Sequence, residues 1–311
     1  MHAHSHSHHH GDLSKQTLSR LTLSLGLTLA FVAVEAFAGV MANSLALLTD
    51  AAHNATDVIA LALSWYAVRV ATRPANARKT YGYHRAGILV ALVNAATLGI
   101  IAVGIFYEAW QRFFSPPEVE SGILVGVGLV AVGINLGTAL LVKKGSEHDL
   151  SLRSAFVHLM GDVLSTVGAV LAGIAIYFTG ANWLDPLVSI LIALLILWNA
   201  WGILRETIDI LLEATPRDVD MSAMLSDILQ VDGVLGVHDL HVWSISSNLR
   251  TMSAHILTRD ISVSAGASIQ AAVNELVAHR YNITHATLQL ECEGCAPDLL
   301  YCDMEEGHVH E

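Results

Sequence analysis

Apolar residues fill the first two thirds of the chain in six long blocks separated by short polar stretches. The blocks are Leu18–Val40, Leu45–Val70, Ala86–Trp110, Gly122–Val142, Leu152–Phe178 and Asp185–Leu212. Each is longer than the roughly 20 residues a helix needs to cross the hydrocarbon of a bilayer. The pattern predicts six transmembrane helices. After Leu212 the rhythm changes. Val219–Leu229 has helical spacing, Gly236–Ile245 and Leu249–Leu257 read as strands joined by a Ser-Ser-Asn turn, and Ala267–His279 is an amphipathic helix. His285–Glu291 then alternates, with Ala286, Leu288 and Leu290 on one face. The predicted fold is membrane α-helical: six transmembrane helices followed by a cytoplasmic α+β domain, ferredoxin-like, with α-β-β-α-β order and a split β-α-β arrangement. Four parts result: a His-rich arm at 1–15, a membrane domain at 16–212, a small soluble domain at 213–291 and a Cys-, His- and acid-rich tail at 292–311.

Composition strengthens the membrane reading. Hydrophobic residues make up 53% of 311 and charged residues only 14%, less charge than a soluble domain carries. Basic residues set the orientation. Arg69, Arg73, Arg78, Lys79 and Arg85 surround the second connection, and Lys143, Lys144 and Arg153 the fourth. The other connections hold almost none, so the basic ones are expected on the cytoplasmic side, with both termini there. The first block lacks a signal-peptide cleavage pattern and is expected to be retained as a helix. The net charge of −12 falls mostly after Leu212, which argues against a nucleic-acid partner. Cys292, Cys295 and Cys302 would face a reducing compartment, where a structural disulfide is not expected. A soluble part of about 80 residues is only marginally stable alone, so pairing with a second copy is expected.

Two apolar blocks carry the same pattern. His53 and Asp57 lie four apart in the second block, His158 and Asp162 four apart in the fifth. On a helix such a pair shares one face. Ionisable groups at bilayer depth are costly to insert and mark a pathway or a site. A lone buried His is most often a satisfied core residue, but two His and two Asp at matching spacing point to a metal. Two nitrogen and two oxygen donors suit tetrahedral Zn²⁺, and Co²⁺, Ni²⁺ or Cd²⁺ stay open. Four protein ligands leave no vacant position for catalytic water, and H-E-x-x-H is absent, so a carrier is favoured over an enzyme.

The ligand chemistry also couples metal to protons. Zn²⁺ needs neutral His and ionised Asp, so loading it displaces H⁺. Protonated His with ionised Asp, or metal with neutral His, leaves the buried site equally uncharged. Inward protons would offset the cost of exporting a dication, about 2.3 kcal/mol per charge per 100 mV. The expectation is a zinc/proton antiporter working by alternating access. A membrane zinc sensor without transport is the reading from another class. Glu35 and Asp50 either line an outer vestibule or are wet at the interface, and Asn135 is either interhelical glue or a ligand.

These residues carry a family resemblance. Ala42–His53, Tyr81–Ala86, Arg153–Asp162, Asp185–Ser189 and Val237–Trp243 resemble the cation diffusion facilitator family, in its zinc-exporting branch. The resemblance implies a homodimer, six helices, a cytoplasmic metal-binding domain and Zn²⁺/H⁺ exchange, with His53 favouring zinc over cadmium. It also implies a regulatory zinc cluster from His238, His255 and His285, with Glu291, Cys292 and Cys295 as further candidates. Gly87 stands where the family often has Glu, leaving His84 as a single candidate ligand in that loop. On the alternative reading these are surface histidines and cysteines. His238 and His241 are expected on opposite strand faces unless a bulge intervenes. His2, His4, His6, His8, His9 and His10 would form a zinc-buffering arm.

Overall fold

The computed structural model describes residues 29–143, 150–247 and 249–292, without the side chains of 141, 142, 150–155 and 158. The His-rich arm, Cys295 and Cys302 lie outside the described residues. Six helices come first: α1 (Leu29–Met41), then α2 (Leu45–Ala71), α3 (Ala86–Phe114), α4 (Ser121–Lys143), α5 (Leu150–Thr179) and α6 (Leu184–Leu211). Then come α7 (Met221–Leu229), β1 (Gly236–Ser246), β2 (Leu249–Leu257), α8 (Val263–Tyr281) and β3 (Ile283–Glu291). Among the described residues, α3, α4, α6 and Leu159–Thr179 of α5 are long and apolar enough to span a membrane. The described part of α1 is shorter. In α2, Asp50, His53, Asn54 and Asp57 dilute an otherwise apolar sequence.

The chain forms two compact units. One comprises the helices up to Trp65 together with Val93–Ile203; the other is built from Tyr66–Leu92 and the chain from Leu204 onward. In the first unit α4 packs tightly on α5. A Cβ at Gly128 would stand 2.6 Å from the Val170 side chain, and one at Gly173 2.9 Å from Leu124. Small residues let helix backbones approach closely where lipid gives no hydrophobic drive to association. The same device seats α1 on α2, where a Cβ at Gly39 would lie 3.1 Å from the Leu48 amide nitrogen.

In the second unit, β1 pairs antiparallel with β2, and β2 pairs parallel with β3. The sheet order is β1-β2-β3. The α-β-β-α-β order is the one the sequence pattern predicts. The split arrangement expected from the sequence is not found: α8 crosses between adjacent strands, because β3 takes the free edge of β2 and leaves no gap. Asp220 caps α7 by accepting from the Ser222 and Ala223 amides, and Ser262 caps α8 through the Ala265 amide. Gly266, Ile269, Val273 and Val277 form the buried stripe of α8. They cover a core that includes Leu240, Met252, Ile256 and Ile283 of the sheet and Met224 and Ile228 of α7.

Candidate metal centres

The first centre is built on α2 and α5. His53 and Asp57 occupy one face of α2, with Nε2 of His53 3.6 Å from Oδ2 of Asp57. The same nitrogen lies 3.2 Å from Oδ1 of Asp162 on α5. Side chains of His53 and Asp162 retain 11% exposure each and Asp57 34%, so the group is recessed but open on the Asp57 side. Ligand atoms of the three lie within 4.8 Å of one another. His158 belongs to α5 one turn before Asp162; its side chain lies outside the described residues.

Behind this centre runs a buried polar layer. Glu35 is fully buried and Asp50 is 2% exposed, so neither is wet. The Asn54 amide donates to Oε2 of Glu35 at 3.2 Å. Thr166 of α5 donates to Oδ2 of Asp50 and to the Asp162 carbonyl. Asn135 of α4 donates to the Thr166 hydroxyl, which is interhelical glue. A second buried carboxylate fixes the head of α2. Asp185, near the start of α6, accepts from the Ser44 hydroxyl at 2.5 Å, the Leu45 amide at 2.8 Å and the Ala46 amide at 3.3 Å. It caps a helix other than its own and satisfies amides that α2 cannot. An acid followed by proline at a block's start is a helix-start signal; nothing in one sequence tells which helix receives the carboxylate.

The other centre is in the cytoplasmic-type domain. His238 on β1 sits directly across from His255 on β2, with ring centroids 5.0 Å apart. Glu291, at the end of β3, reaches both. Its Oε2 is 3.1 Å from Nε2 of His238 and its Oε1 2.9 Å from Nδ1 of His255. The three form the second group whose ligand atoms lie within 4.8 Å. A bulge between His238 and His241 puts Asp239 at φ 51, and its carboxylate contacts His241 at 2.8 Å and His255 at 3.5 Å. His285 does not join this group. It pairs with Thr251, well back along β3 from Glu291, and its ring meets Tyr81 edge-on at 6.0 Å. Within one chain Glu291, and not His285, sits beside His238 and His255, because strand register sets the partner. Cys292 is exposed and free. His84 is exposed in the turn before α3, and among the described residues no group of three ligands includes it.

Two family descriptions match in succession: the cation efflux transmembrane domain over residues 21–212 and the cation efflux protein cytoplasmic domain over residues 216–293. The chain belongs to the cation efflux family. It is an integral membrane protein with a C-terminal domain of the cytoplasmic type. The cadmium, cobalt and zinc/H⁺-K⁺ antiporter of Bacillus subtilis is 37% identical over 276 residues, 88% of each chain. The metal cation efflux system protein CzcD of Cupriavidus metallidurans is 36% identical over 88% of this chain and 87% of that one. The zinc transporter ZitB of Escherichia coli is 35% identical over 94% of this chain and 93% of that one.

Proposed function

We propose that the protein exports Zn²⁺ from the bacterial cytoplasm in exchange for protons by alternating access, and is a carrier rather than an enzyme. The observation that carries this reading is the convergence of His53, Asp57 and Asp162 within 4.8 Å on two helices of a membrane domain. His158, one turn from Asp162, is the fourth ligand in this reading. Metal needs neutral imidazole and ionised carboxylate, so loading and proton release are one event. The names of the Bacillus and Escherichia relatives support zinc as cargo and H⁺ as counter-ion. The wider metal range in the Bacillus name keeps Co²⁺ and Cd²⁺ as secondary cargo; Ni²⁺ belongs with them on ligand chemistry alone.

In the same reading, residues 16–212 do the transport and both termini face the cytoplasm of the inner membrane. The domain at 213–291 pairs with its copy in a homodimer. His238, His255 and Glu291 bind cytoplasmic zinc there and report its level, with Cys292 beside them. The test is zinc flux into inverted vesicles or proteoliposomes with and without a pH gradient, reading proton release alongside. Gradient-driven zinc accumulation with opposite proton flow is the expected result. Metal-dependent rearrangement with no flux would replace the carrier with a sensor.

A further inference from the structure

The metal quartet leaves a pair of ionisable groups unused. Glu35 of α1 and Asp50 of α2 are buried against each other, and their carboxyl groups meet at hydrogen-bonding range. Gly39 lets α1 come close enough for this. One oxygen of Glu35 accepts from Asn54; the other, Oε1, is buried and finds no donor among the described residues. One oxygen of Asp50 accepts from Thr166. Among the described residues, the other charged or titratable groups facing the pair are His53 of α2 and Asp162 of α5, and no Lys or Arg does so. Two ionised carboxylates in contact repel and have no hydrogen to share. The contact becomes a hydrogen bond only when one of them carries a proton.

We propose that Glu35 and Asp50 form a proton-binding station, distinct from the metal ligands, that is filled when the transport site is empty and vacated when metal occupies it. The proposal rests on the proton-exchange reading above. Asp50 is one helical turn from His53, toward the α1–α2 connection, the side the basic loops assign to the outside. A dication among His53, Asp57 and Asp162 would lie about one turn away and raise the cost of a proton on the pair. By the same linkage, a proton on the pair weakens metal binding. A proton arriving from outside therefore helps to expel metal outward, and metal arriving from the cytoplasm drives the proton off. The balance is simple: one H⁺ joins the shared carboxyl oxygens as one metal ion leaves, and the reverse. The burial of Glu35 keeps water from short-circuiting the exchange.

The experiment uses the full chain in proteoliposomes, with zinc as the probe. Glu35→Gln and Asp50→Asn should keep zinc-for-zinc exchange, with a zinc affinity at or below that of the wild type, because a permanently neutral member mimics the protonated pair. If one exchanged proton is lost, the zinc accumulation supported by a one-unit pH gradient falls about tenfold. Glu35→Asp retains a carboxyl and should keep the coupling. Infrared difference spectra of the wild type should show a protonated-carboxyl C=O band that disappears on adding zinc, and Glu35→Gln should lack it. Unchanged accumulation in both variants overturns the proposal. So does a loss of zinc-for-zinc exchange together with zinc binding, which would make the pair a metal ligand. Should a variant fail to fold, the wild-type infrared band decides alone: its absence overturns the station. A wild type without gradient-driven accumulation but with the band would remove the antiport reading and leave the proton station standing.

Discussion

The two metal-competent centres use the same side chains but opposite construction rules. In the membrane unit, His53 and Asp57 are neighbours because a helix repeats every 3.6 residues, and packing need only deliver α5, which carries Asp162. In the cytoplasmic-type domain, His238, His255 and Glu291 come from three different strands. Their meeting depends on antiparallel register, parallel register and a bulge at once. A local rule makes the first centre sturdy. A non-local rule makes the second sensitive to strand slippage, since a one-residue shift turns every side chain to the other face. The same contrast suits the proposed roles: a fixed pathway in one case, a responsive sensor in the other.

The sharpest way to break this comparison is to remove one carboxylate from each centre. Asp162→Asn removes the negative charge 3.2 Å from His53, and with it one anionic ligand. Losing an outer-shell group alone costs 10–100-fold in metal affinity, so losing this ligand should cost at least about 100-fold and abolish zinc flux. Glu291→Gln neutralises the carboxylate that touches both His238 and His255. It should weaken the cytoplasmic site about tenfold or more, read by calorimetry on the full chain, and leave flux at high zinc intact. If Glu291→Gln stops flux while Asp162→Asn does not, the assignment of roles is reversed.

A smaller effect tests how α2 is mounted. Asp185 satisfies one hydroxyl and two amides at the head of that helix. Asp185→Ala orphans them in a buried place and should cost about 2 kcal/mol, seen as a lower unfolding temperature in detergent. Asp185→Asn keeps one acceptor oxygen and should recover part of that loss. Because α2 carries His53 and Asp57, slower zinc flux should accompany the loss of stability. A variant that unfolds earlier but transports at the wild-type rate would show that the cap holds the fold and not the site.

What was legible in the sequence follows the same division. The six apolar blocks, the strand and helix order, and the H-x-x-x-D faces of α2 and α5 all rest on local periodicity, which one sequence carries. The cytoplasmic trio was only half legible. His238 and His255 lie on predicted strands, but choosing Glu291 over His285 needed the parallel register of β3 against β2. The Asp239 bulge was foreseen only as a condition, because an αL aspartate leaves no mark in the apolar pattern. Glu35 and Asp50 were visible as charges in apolar blocks, yet their burial against each other depends on how α1 seats on α2. The order of elements suggests a split sheet; which edge β3 takes is a tertiary choice.

The smallest expected effect sharpens the cytoplasmic half. The Tyr281 hydroxyl, at the end of α8, donates to Asp227 of α7. Partial burial, and then that bond, push the Tyr281 hydroxyl up to about 12 from an ordinary 10.0. A group whose proton is held more tightly in the folded state stabilises fully below its unfolded pKa. This contribution is therefore complete below about pH 10 and is lost as pH rises from there to about 12. Tyr281→Phe should remove that alkaline dependence and the highest step of the ultraviolet tyrosine titration. It should cost about 1 kcal/mol or less at neutral pH, because Arg280 still pairs with Asp227. Tyr281 contacts neither His238 nor Glu291, so zinc affinity of the domain should not move. A fall in affinity would mean that the α7–α8 seam feeds into the strand register that assembles the trio, making that site still more dependent on distant packing than the helical one.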